Sequence, residues 1–428
     1  MASTSSLQRT LGLPGAVGMG LGSMVGTGVF VSIGLAAGVS GPTVLPAIVL
    51  AAFVALCNGL SSAQLAAAHP VSGGTYEYGY RYLRPEAGFS AGWMFLLAKS
   101  ASAATAALGF SGYLLHMTGL SERIPLILPA LGVILGMTLL VRAGLKRSAL
   151  MNSVVVSVTL LSLVLFTVSA ASSAFDPAQL RFEPLDLRSP EFLQACALLF
   201  VAYTGYGRIA TMGEEIRDPR RNIPRAILAV LLVTALLYLA VAVSAIGAVG
   251  SETLGEMTRN DAAPLERVLQ TLGRPRMALL VSLGALTAML GVLLNLLLGL
   301  SRVLLAMGRR GDMPVIFSTL HEGSPRAAVL GVGALIALLS LPGQVTLSWS
   351  FSAFTVLLYY AITNLSALNL PSADRLYPRF FSWCGLGACL FLAFQVDLKI
   401  WTAGSGFLLA GLVWHRFRQP RRDAESAE

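Results

Sequence analysis

The chain contains twelve apolar segments, most of them close to the roughly 20 residues that a helix needs to cross the hydrocarbon core of a bilayer. Hydrophobic residues make up 55% of the sequence and charged residues only 12%, which is about half the charged fraction of an ordinary soluble chain. This pattern predicts an all-α integral membrane protein with twelve transmembrane helices embedded in the lipid bilayer. The predicted segments are 14–39, 44–68, 88–116, 124–142, 149–171, 190–212, 226–248, 277–305, 327–342, 347–370, 380–396 and 399–415.

The basic residues indicate how these segments are oriented. With the N-terminus inside, 20 of the 30 Lys and Arg residues fall in cytoplasmic regions, and such a bias fixes membrane topology. We therefore expect both termini in the cytoplasm, and we interpret the net charge of +9 as a topology signal rather than a nucleic-acid-binding surface. Arginine outnumbers lysine 27 to 3, which is typical of a GC-rich bacterial genome, and in a bacterium the expected location is the cytoplasmic membrane. The cysteines lie singly in apolar segments, so no disulfide, metal site or cofactor is predicted.

The first segment carries five glycines between residues 18 and 28. Each glycine inside a helix costs about 1 kcal/mol relative to alanine. At membrane depth, non-helical backbone is tolerated only where it is buried in protein or lines a water-filled cavity. One interpretation is a helix break at 25–28 that frees backbone groups to bind a small ligand. The other is close helix packing through the Gly18/Gly22/Gly26 spacing.

Segment six is also interrupted, by Gly205 and Gly207. Segments one and six each open a five-segment half, 14–171 and 190–370. Interrupted spans at matching positions of two halves indicate a secondary transporter with an inverted repeat. We therefore predict a five-plus-five inverted repeat with discontinuous helices 1 and 6. The remaining regions are a cytoplasmic N-terminus (1–13), helices 11 and 12 (380–415) and a cytoplasmic tail (416–428).

Half-helix ends predict the chemistry of this site. A helix N-terminus near Gly26–Gly28 presents N–H donors to a carboxylate, whereas free carbonyls of Ser23 and Met24 suit an ammonium group. Segment six is expected to mirror this with carbonyls from 201–203 and the side chains of two tyrosines. Together these groups describe an α-amino acid site. The predicted substrate-binding residues are Ser23, Met24, Gly26, Thr27, Gly28, Val201, Ala202, Tyr203, Gly205 and Tyr206.

Two charged side chains fall at membrane depth, and such groups are functional candidates by default. Lys99 is a candidate for coupling or substrate contact, or else it donates to backbone carbonyls of a broken helix. Arg208 is expected to form a structural or gating pair with Glu215, seven residues along the same helix face. Tyr359 is a candidate for closing the external path, with packing as the alternative. None of the 21 Asp and Glu residues falls in the middle of a segment, which favours a neutral amino acid and leaves an acidic one open.

Several motifs resemble those of the amino acid–polyamine–organocation (APC) superfamily, and the likeness covers segments one to ten. These motifs are Gly22–Phe30, His69–Tyr78, Ala202–Tyr206, Glu214–Ala226 and Ser301–Gly308. The resemblance implies a leucine-transporter-type fold that works by alternating access, with amino acid exchange or coupling to H⁺ or Na⁺.

The chain departs from this family pattern at two positions. Thr159 stands where proton-coupled relatives often carry a lysine, and Gly207 stands where some carry a glutamate. The resemblance also implies that Thr287 lies where helix 8 approaches helix 1, sometimes to hold sodium.

We therefore predict a secondary active transporter of neutral, small to medium amino acids that works by proton coupling or exchange. The alternatives are a cationic amino acid or polyamine exchanger of the same fold, a channel, a membrane amino acid sensor without transport, and a membrane-embedded enzyme. The enzyme is disfavoured because the four histidines lie at segment ends and none has a paired acid. The sequence does not indicate an oligomeric state.

Overall fold

The computed structural model describes residues 11–70, 73–144, 149–173, 175–211, 215–321 and 324–425, and these ranges are almost entirely helical. The α-helices are α1 (Leu13–Met24), α2 (Ile33–Ser40), α3 (Val44–Ala68), α4 (Thr75–Tyr82), α5 (Pro85–Thr118), α6 (Ile127–Arg142), α7 (Ala149–Ser173), α8 (Pro190–Tyr203), α9 (Gly207–Thr211), α10 (Pro219–Val249), α11 (Ser251–Asp261), α12 (Pro264–Thr271), α13 (Pro275–Arg309), α14 (Arg326–Ser340), α15 (Val345–Leu368), α16 (Arg379–Ala393) and α17 (Leu398–Glu425).

Each predicted apolar segment is helical, and segments one and six are each divided between two α-helices. Within the described ranges, 6 helical stretches are long and apolar enough to cross a membrane, or up to 7 if the bent pair α16 and α17 forms one span. Helices α6 and α14 are apolar but shorter. The all-helical fold is thus confirmed, while twelve crossings and the inverted repeat stay predictions.

The loops contain further helices. One of them is the short amphipathic helix α12, which contains Glu266 and Arg267. Its neighbour α11 and the short helix α4 are not predicted from the sequence, because each is too polar to stand out in an apolar chain. Proline is the first residue of α5, α8, α10, α12 and α13. It is tolerated there because the first N–H groups of a helix have no partner within the helix.

The packing places α5 at the centre of the bundle. It lies along α13 and α15, while α3 packs against α8 and α10, and α1 packs against α7 and α10. Ala98, Ala101 and Ala104 of α5 are fully buried, because small side chains let neighbouring helices approach closely. Large apolar side chains on the outer helices are exposed, among them Leu150, Leu232 and Leu409, as expected of a surface that faces lipid.

Candidate functional site

The first segment is interrupted at Val25 and Gly26. Helix α1 ends at Met24, and Val25 has an extended backbone with φ −83° and ψ 96°. A π-helix then runs from Gly28 to Ser32 and continues directly into α2. The Gly26 carbonyl accepts from the N–H groups of Val29 (3.0 Å) and Phe30 (3.1 Å). The N–H groups of Thr27 and Gly28 therefore lie at a helix N-terminus, where no earlier turn supplies acceptors.

Segment six is interrupted in a different way. Helix α8 ends at Tyr203, a 3₁₀ turn spans Thr204–Tyr206, and α9 follows from Gly207. The backbone N–H of Thr204 bonds to the Val201 carbonyl, and its hydroxyl donates to the same oxygen at 2.7 Å. A tightened helical turn therefore stands where the sequence suggested a full break, because 3₁₀ bonding satisfies part of the freed backbone locally.

The two interruptions touch through glycines. A Cβ on Gly205 would collide with the Ser23 carbonyl, and one on Gly28 would lie 2.5 Å from the Tyr238 hydroxyl. A Cβ on Gly26 would lie 2.5 Å from Cγ2 of Val292 in α13. The glycines in and around these interruptions thus also provide close packing, so the two interpretations of the glycine-rich segment are compatible.

Tyr238 of α10 binds both interrupted segments. Its hydroxyl donates to the Met24 carbonyl at 2.7 Å and lies 3.1 Å from the Ala202 carbonyl. These are two of the carbonyls that the sequence assigned to an ammonium group, and each retains a second lone pair. Sequence reasoning missed Tyr238, although a tyrosine in the middle of an apolar span was an available signal.

A cavity of about 210 Å³ lies between the interruptions. A single water needs only about 10–15 Å³ of such space, so a much larger molecule fits. The predicted residues that line it are Ser23, Met24, Thr27, Gly28, Val201, Ala202 and Gly205, joined by Lys99, Arg208 and Glu215. Residues not predicted at the site also line it, including Phe95, Ser102, Thr204, Asn295, Arg302, Trp349 and Tyr360.

Polar groups converge on one side of this cavity. Lys99 is 9% exposed, and its Nζ donates to Oγ1 of Thr204 at 2.7 Å. The Tyr360 hydroxyl donates to the Thr204 carbonyl at 3.3 Å. A lysine ammonium carries three donors, so a bond to Thr204 leaves capacity for a bound carboxylate. Lys99 therefore holds the segment-six turn through a side chain, not through the backbone carbonyls considered from the sequence.

Thr27 presents an unused polar group to the same space. It is buried, it lines the cavity, and its Oγ1 has no hydrogen-bond partner among the described residues. Buried hydroxyls normally have a partner. A ligand in the cavity would supply one.

The cavity continues toward a mouth marked by Glu215 and Arg302. Arg208 and Glu215 both line it, but within the described part of the chain they form no ion pair at or below 4.0 Å. The predicted Arg208–Glu215 pair is therefore not formed in this conformation. Nε of Arg208 has no hydrogen-bond partner among these same residues.

Three predicted substrate-binding residues do not line the cavity. The Tyr203 hydroxyl donates to the Ile48 carbonyl at 3.3 Å, and the Tyr206 ring packs on Tyr360 with centroids 5.6 Å apart. Gly26 contacts Val292. The tyrosine side chains thus hold segment six against its neighbours, while the backbone of that segment faces the cavity.

Three coupling or gating candidates also lie outside it. Oγ1 of Thr159 bonds to the Val155 carbonyl, and Oγ1 of Thr287 bonds within its own helix. The Tyr359 hydroxyl accepts from the Thr75 N–H at 3.5 Å, at the end of the bundle that holds α4. This contact places the Tyr359 hydroxyl beside α4, and a role for Tyr359 in closing the external path stays a prediction.

A buried carboxylate anchors α4 beside the mouth. Asp312 accepts from the hydroxyls of Tyr76 (2.5 Å) and Tyr80 (2.9 Å), and Nδ1 of His415 lies 3.5 Å from it. Tyr76 also lines the cavity. Sequence reasoning missed this cluster, because its members come from α4, α17 and the loop after α13.

Comparisons with known proteins agree with this architecture. The sequence profile described as "Amino acid permease" matches residues 15–412. An uncharacterized transporter of Mycobacterium tuberculosis is 40% identical over 416 residues, which is 96% of this chain and 92% of the relative. The branched-chain amino acid permease BcaP of Bacillus subtilis is 28% identical over 435 residues, 95% of this chain and 92% of BcaP. A cationic amino acid transporter of Arabidopsis thaliana is 26% identical over 399 residues, 86% of this chain and 65% of the relative.

These relatives are named as transporters and permeases, not as enzymes. The profile covers nearly all of the chain, and the apolar helices are those of a multi-pass membrane protein. The resemblance seen in the sequence motifs is therefore confirmed. The chain belongs to the amino acid permease family, within the APC superfamily.

Proposed function

We propose that this protein is a secondary active transporter that carries neutral, small to medium amino acids across the cytoplasmic membrane by alternating access. The main support for this proposal is the cavity, which is bounded by both interrupted segments. Backbone N–H groups at 27–28 and the Lys99 ammonium are placed to bind an α-carboxylate. The carbonyls of Ser23 and Ala202 are acceptors suited to an α-ammonium, whereas the Val201 carbonyl already accepts from the N–H and the hydroxyl of Thr204.

The charges around the cavity support the substrate class. Lys99, Arg208 and Arg302 line it, and among the residues that the structure describes Glu215 is the one carboxylate that does so. A cationic side chain would meet net repulsion there, whereas a neutral side chain would contact apolar surfaces such as Val292 and Trp349. This favours a neutral substrate over the cationic amino acid or polyamine alternative, although some relatives are named for cationic amino acids.

The two ends of the cavity differ. Toward Glu215, its lining extends to Arg302, whose side chain is exposed. Toward the other end, Val29, Phe30 and Val31 are buried beneath the loop helices α11 and α12. With both termini inside, as the charge pattern predicts, this is a conformation that opens to the cytoplasm. A transporter needs the opposite arrangement as well, and movement of the two repeat halves would supply it.

Coupling by protons or by exchange completes the proposal, with Lys99 as the coupling candidate. Thr159 bonds within its own helix and does not replace the lysine of proton-coupled relatives. Lys99 is instead the buried ammonium that contacts an interrupted segment.

Uptake by purified protein in proteoliposomes tests the proposal. A panel of labelled amino acids would be measured with proton gradients, sodium gradients and internal unlabelled amino acid. Saturable uptake of neutral amino acids, abolished by unlabelled competitor, is the expected result. Binding without flux would indicate a sensor, and flux that does not saturate would indicate a channel.

A further inference from the structure

A charged cluster lies at the closed end of the bundle, opposite the cavity mouth. Nε2 of His116, at the end of α5, lies 3.2 Å from Oδ1 of Asp261 in α11. Nε of Arg267, in α12, lies 3.0 Å from Oδ2 of the same carboxylate. Glu266, also in α12, is the second acidic group of the cluster and is only 2% exposed.

Glu266 is poorly satisfied as an anion. Its Oε1 accepts from Nε2 of Gln270 at 3.0 Å, but Oε2 is buried and finds no hydrogen-bond partner within the described ranges. The buried hydroxyl of Ser282 in α13 also has no hydrogen-bond partner among the described residues. An ionised carboxylate can only accept, whereas a protonated carboxyl also donates. The Ser282 hydroxyl could bond to either form, so what favours a bound proton is the cost of a charge on a buried carboxyl that has one fixed donor, Gln270.

The surroundings shift the pKa values of Asp261 and Glu266 in opposite directions. Burial by itself raises the pKa of Asp261, but the contacts with His116 and Arg267 outweigh it and hold that pKa below its ordinary value. Burial raises the pKa of Glu266 above its ordinary value. The neighbouring Ser282 hydroxyl, His116 and Arg267 lower this pKa by less than burial raises it. The charge of Asp261 raises it further. Since two nearby carboxylates disfavour joint ionisation, Glu266 is the group that takes up a proton.

Helix α13, which packs on α12, contributes the Ser282 hydroxyl, and its Arg276 is exposed. The titratable groups that face Glu266 come from α5, α11 and α12. They are Tyr113 and His116 of α5, Asp261 of α11 and Arg267 of α12. Helix α7, which packs on α12, contains no charged residue, and the charged residues of α10 lie at its other end. The remaining charged residues of α11, namely Glu252, Glu256 and Arg259, are exposed.

A short chain of contacts joins this cluster to the helix-1 interruption. The N–H of Leu265, next to Glu266, donates to the Tyr113 hydroxyl at 3.4 Å. That hydroxyl in turn donates to the carbonyl of Phe30 at 3.1 Å. Phe30 belongs to the π-helix that directly follows Gly26 and Thr27. The position of α12 is therefore linked to residues at the candidate substrate site.

The connection between α11 and α12 adds a strained element. Ala262 has φ 55° and is fully buried, and left-handed backbone is costly for a residue with a Cβ. It is held against Gly112 of α5, where a Cβ would collide with the Asp261 carbonyl. The loop therefore keeps its closed arrangement only while its contacts with α5 and α13 persist.

We propose that Glu266 is a proton-binding site that controls this end of the transporter: its protonated form holds α12 against Tyr113 and the π-helix, and loss of the proton releases α12. The proton site goes beyond the proposed function, and only its consequence for substrate flux rests on that function. A carboxyl whose pKa is raised in the closed form stabilises that form at low pH. The stabilisation is lost as pH rises through the raised pKa, by up to about tenfold in the opening equilibrium per pH unit.

Hydrogen–deuterium exchange of the purified protein without substrate tests this proposal. Wild-type protein and Glu266→Gln would be compared side by side at each pH from about 5 to about 8, a range that begins above the ordinary glutamate pKa of about 4.3. The intrinsic pH effect on amide exchange then cancels between the two proteins. In peptides covering 251–271 and 26–34, exchange should match at the acid end. As pH rises, the wild type should exchange progressively faster, while Glu266→Gln stays protected.

Further variants keep the test decisive. Glu256→Gln, at an exposed position of α11, should follow the wild type at every pH. Arg267→Gln retains Glu266 but removes a neighbouring cation, so it should move the wild-type midpoint to higher pH. Equal exchange of wild type and Glu266→Gln throughout, or an unmoved midpoint in Arg267→Gln, would overturn the proposal. Because no substrate is involved, a failure of amino acid transport would leave this result unaffected.

Discussion

The hydroxyl of Tyr238 lies 2.7 Å from the carbonyl oxygen of Met24, the last residue of the helix before the first interruption. The same hydroxyl is 3.1 Å from the Ala202 carbonyl in segment six. One side chain of α10 thus fixes the spacing between the two segments that bound the cavity. The two carbonyls keep lone pairs for a substrate, but their separation is set by the protein.

Replacement of Tyr238 by phenylalanine should therefore weaken both folding and transport. It leaves two buried carbonyls without their shared donor, at a cost of about 1–3 kcal/mol. We expect a lower melting temperature and a raised KM for uptake. Tyr203→Phe is the matched control, since its hydroxyl bonds to Ile48 and not to an interrupted segment. Similar KM changes in both variants would contradict a role for Tyr238 in site geometry.

The Lys99–Thr204 contact gives a second prediction. Lys99→Met and Thr204→Val each remove one partner of a charge-assisted hydrogen bond, worth about 1.5–3 kcal/mol. That corresponds to roughly ten- to hundredfold in uptake efficiency. Because the two residues act through one contact, the double variant should lose little more than Lys99→Met alone. Full additivity would show that they act separately. If Lys99→Met keeps the complete pH dependence of uptake, Lys99 does not couple protons.

Gly205 should not tolerate a side chain. A Cβ there would meet the Ser23 carbonyl and the Met24 side chain, and overpacking of this kind costs about 1–3 kcal/mol. We expect Gly205→Ala to lower the melting temperature and abolish uptake. Gly18→Ala, where no atom lies within 4 Å of the added Cβ, should retain both. Normal uptake by Gly205→Ala would mean that the close approach of the two segments is not required.

The cationic lining predicts the direction of a specificity change. Arg208→Gln removes one positive charge from the cavity lining, so uptake of lysine relative to leucine should rise. Two charges near a protein surface interact by about 4 kcal/mol at 4 Å, so even a more distant charge leaves a several-fold effect. Arg220→Gln, on the surface of α10, is the control. An unchanged lysine-to-leucine ratio would contradict electrostatic exclusion of cationic substrates.

Much of this architecture follows from local features of the sequence. Apolar segments of bilayer length predict the helices, and glycines among them predict where segments one and six are interrupted. Residues such as Gly28 and Ala202 line the cavity and contribute backbone groups to it. They can therefore be predicted from the sequence.

The contacts that sequence reasoning missed arise from long-range packing. Tyr238, Trp349 and Tyr360 are ordinary members of apolar helices until the bundle brings them to the cavity. The Asp312 cluster likewise combines three distant parts of the chain. Tyr203 illustrates the converse: its position beside the interruption suggested a ligand contact, but helical geometry directs its ring away from the cavity toward Tyr238, with centroids 5.2 Å apart.

Equilibrium binding to the purified protein most directly tests the central claim that the two interrupted segments hold the charged ends of an α-amino acid. For the best substrate in the panel, the parent amino acid would be compared with its methyl ester and with the analogue that lacks the α-amino group. We expect each analogue to bind at least about tenfold more weakly, since one charge-assisted contact is worth about 1.5–3 kcal/mol. Equal affinity for the parent and both analogues would contradict it.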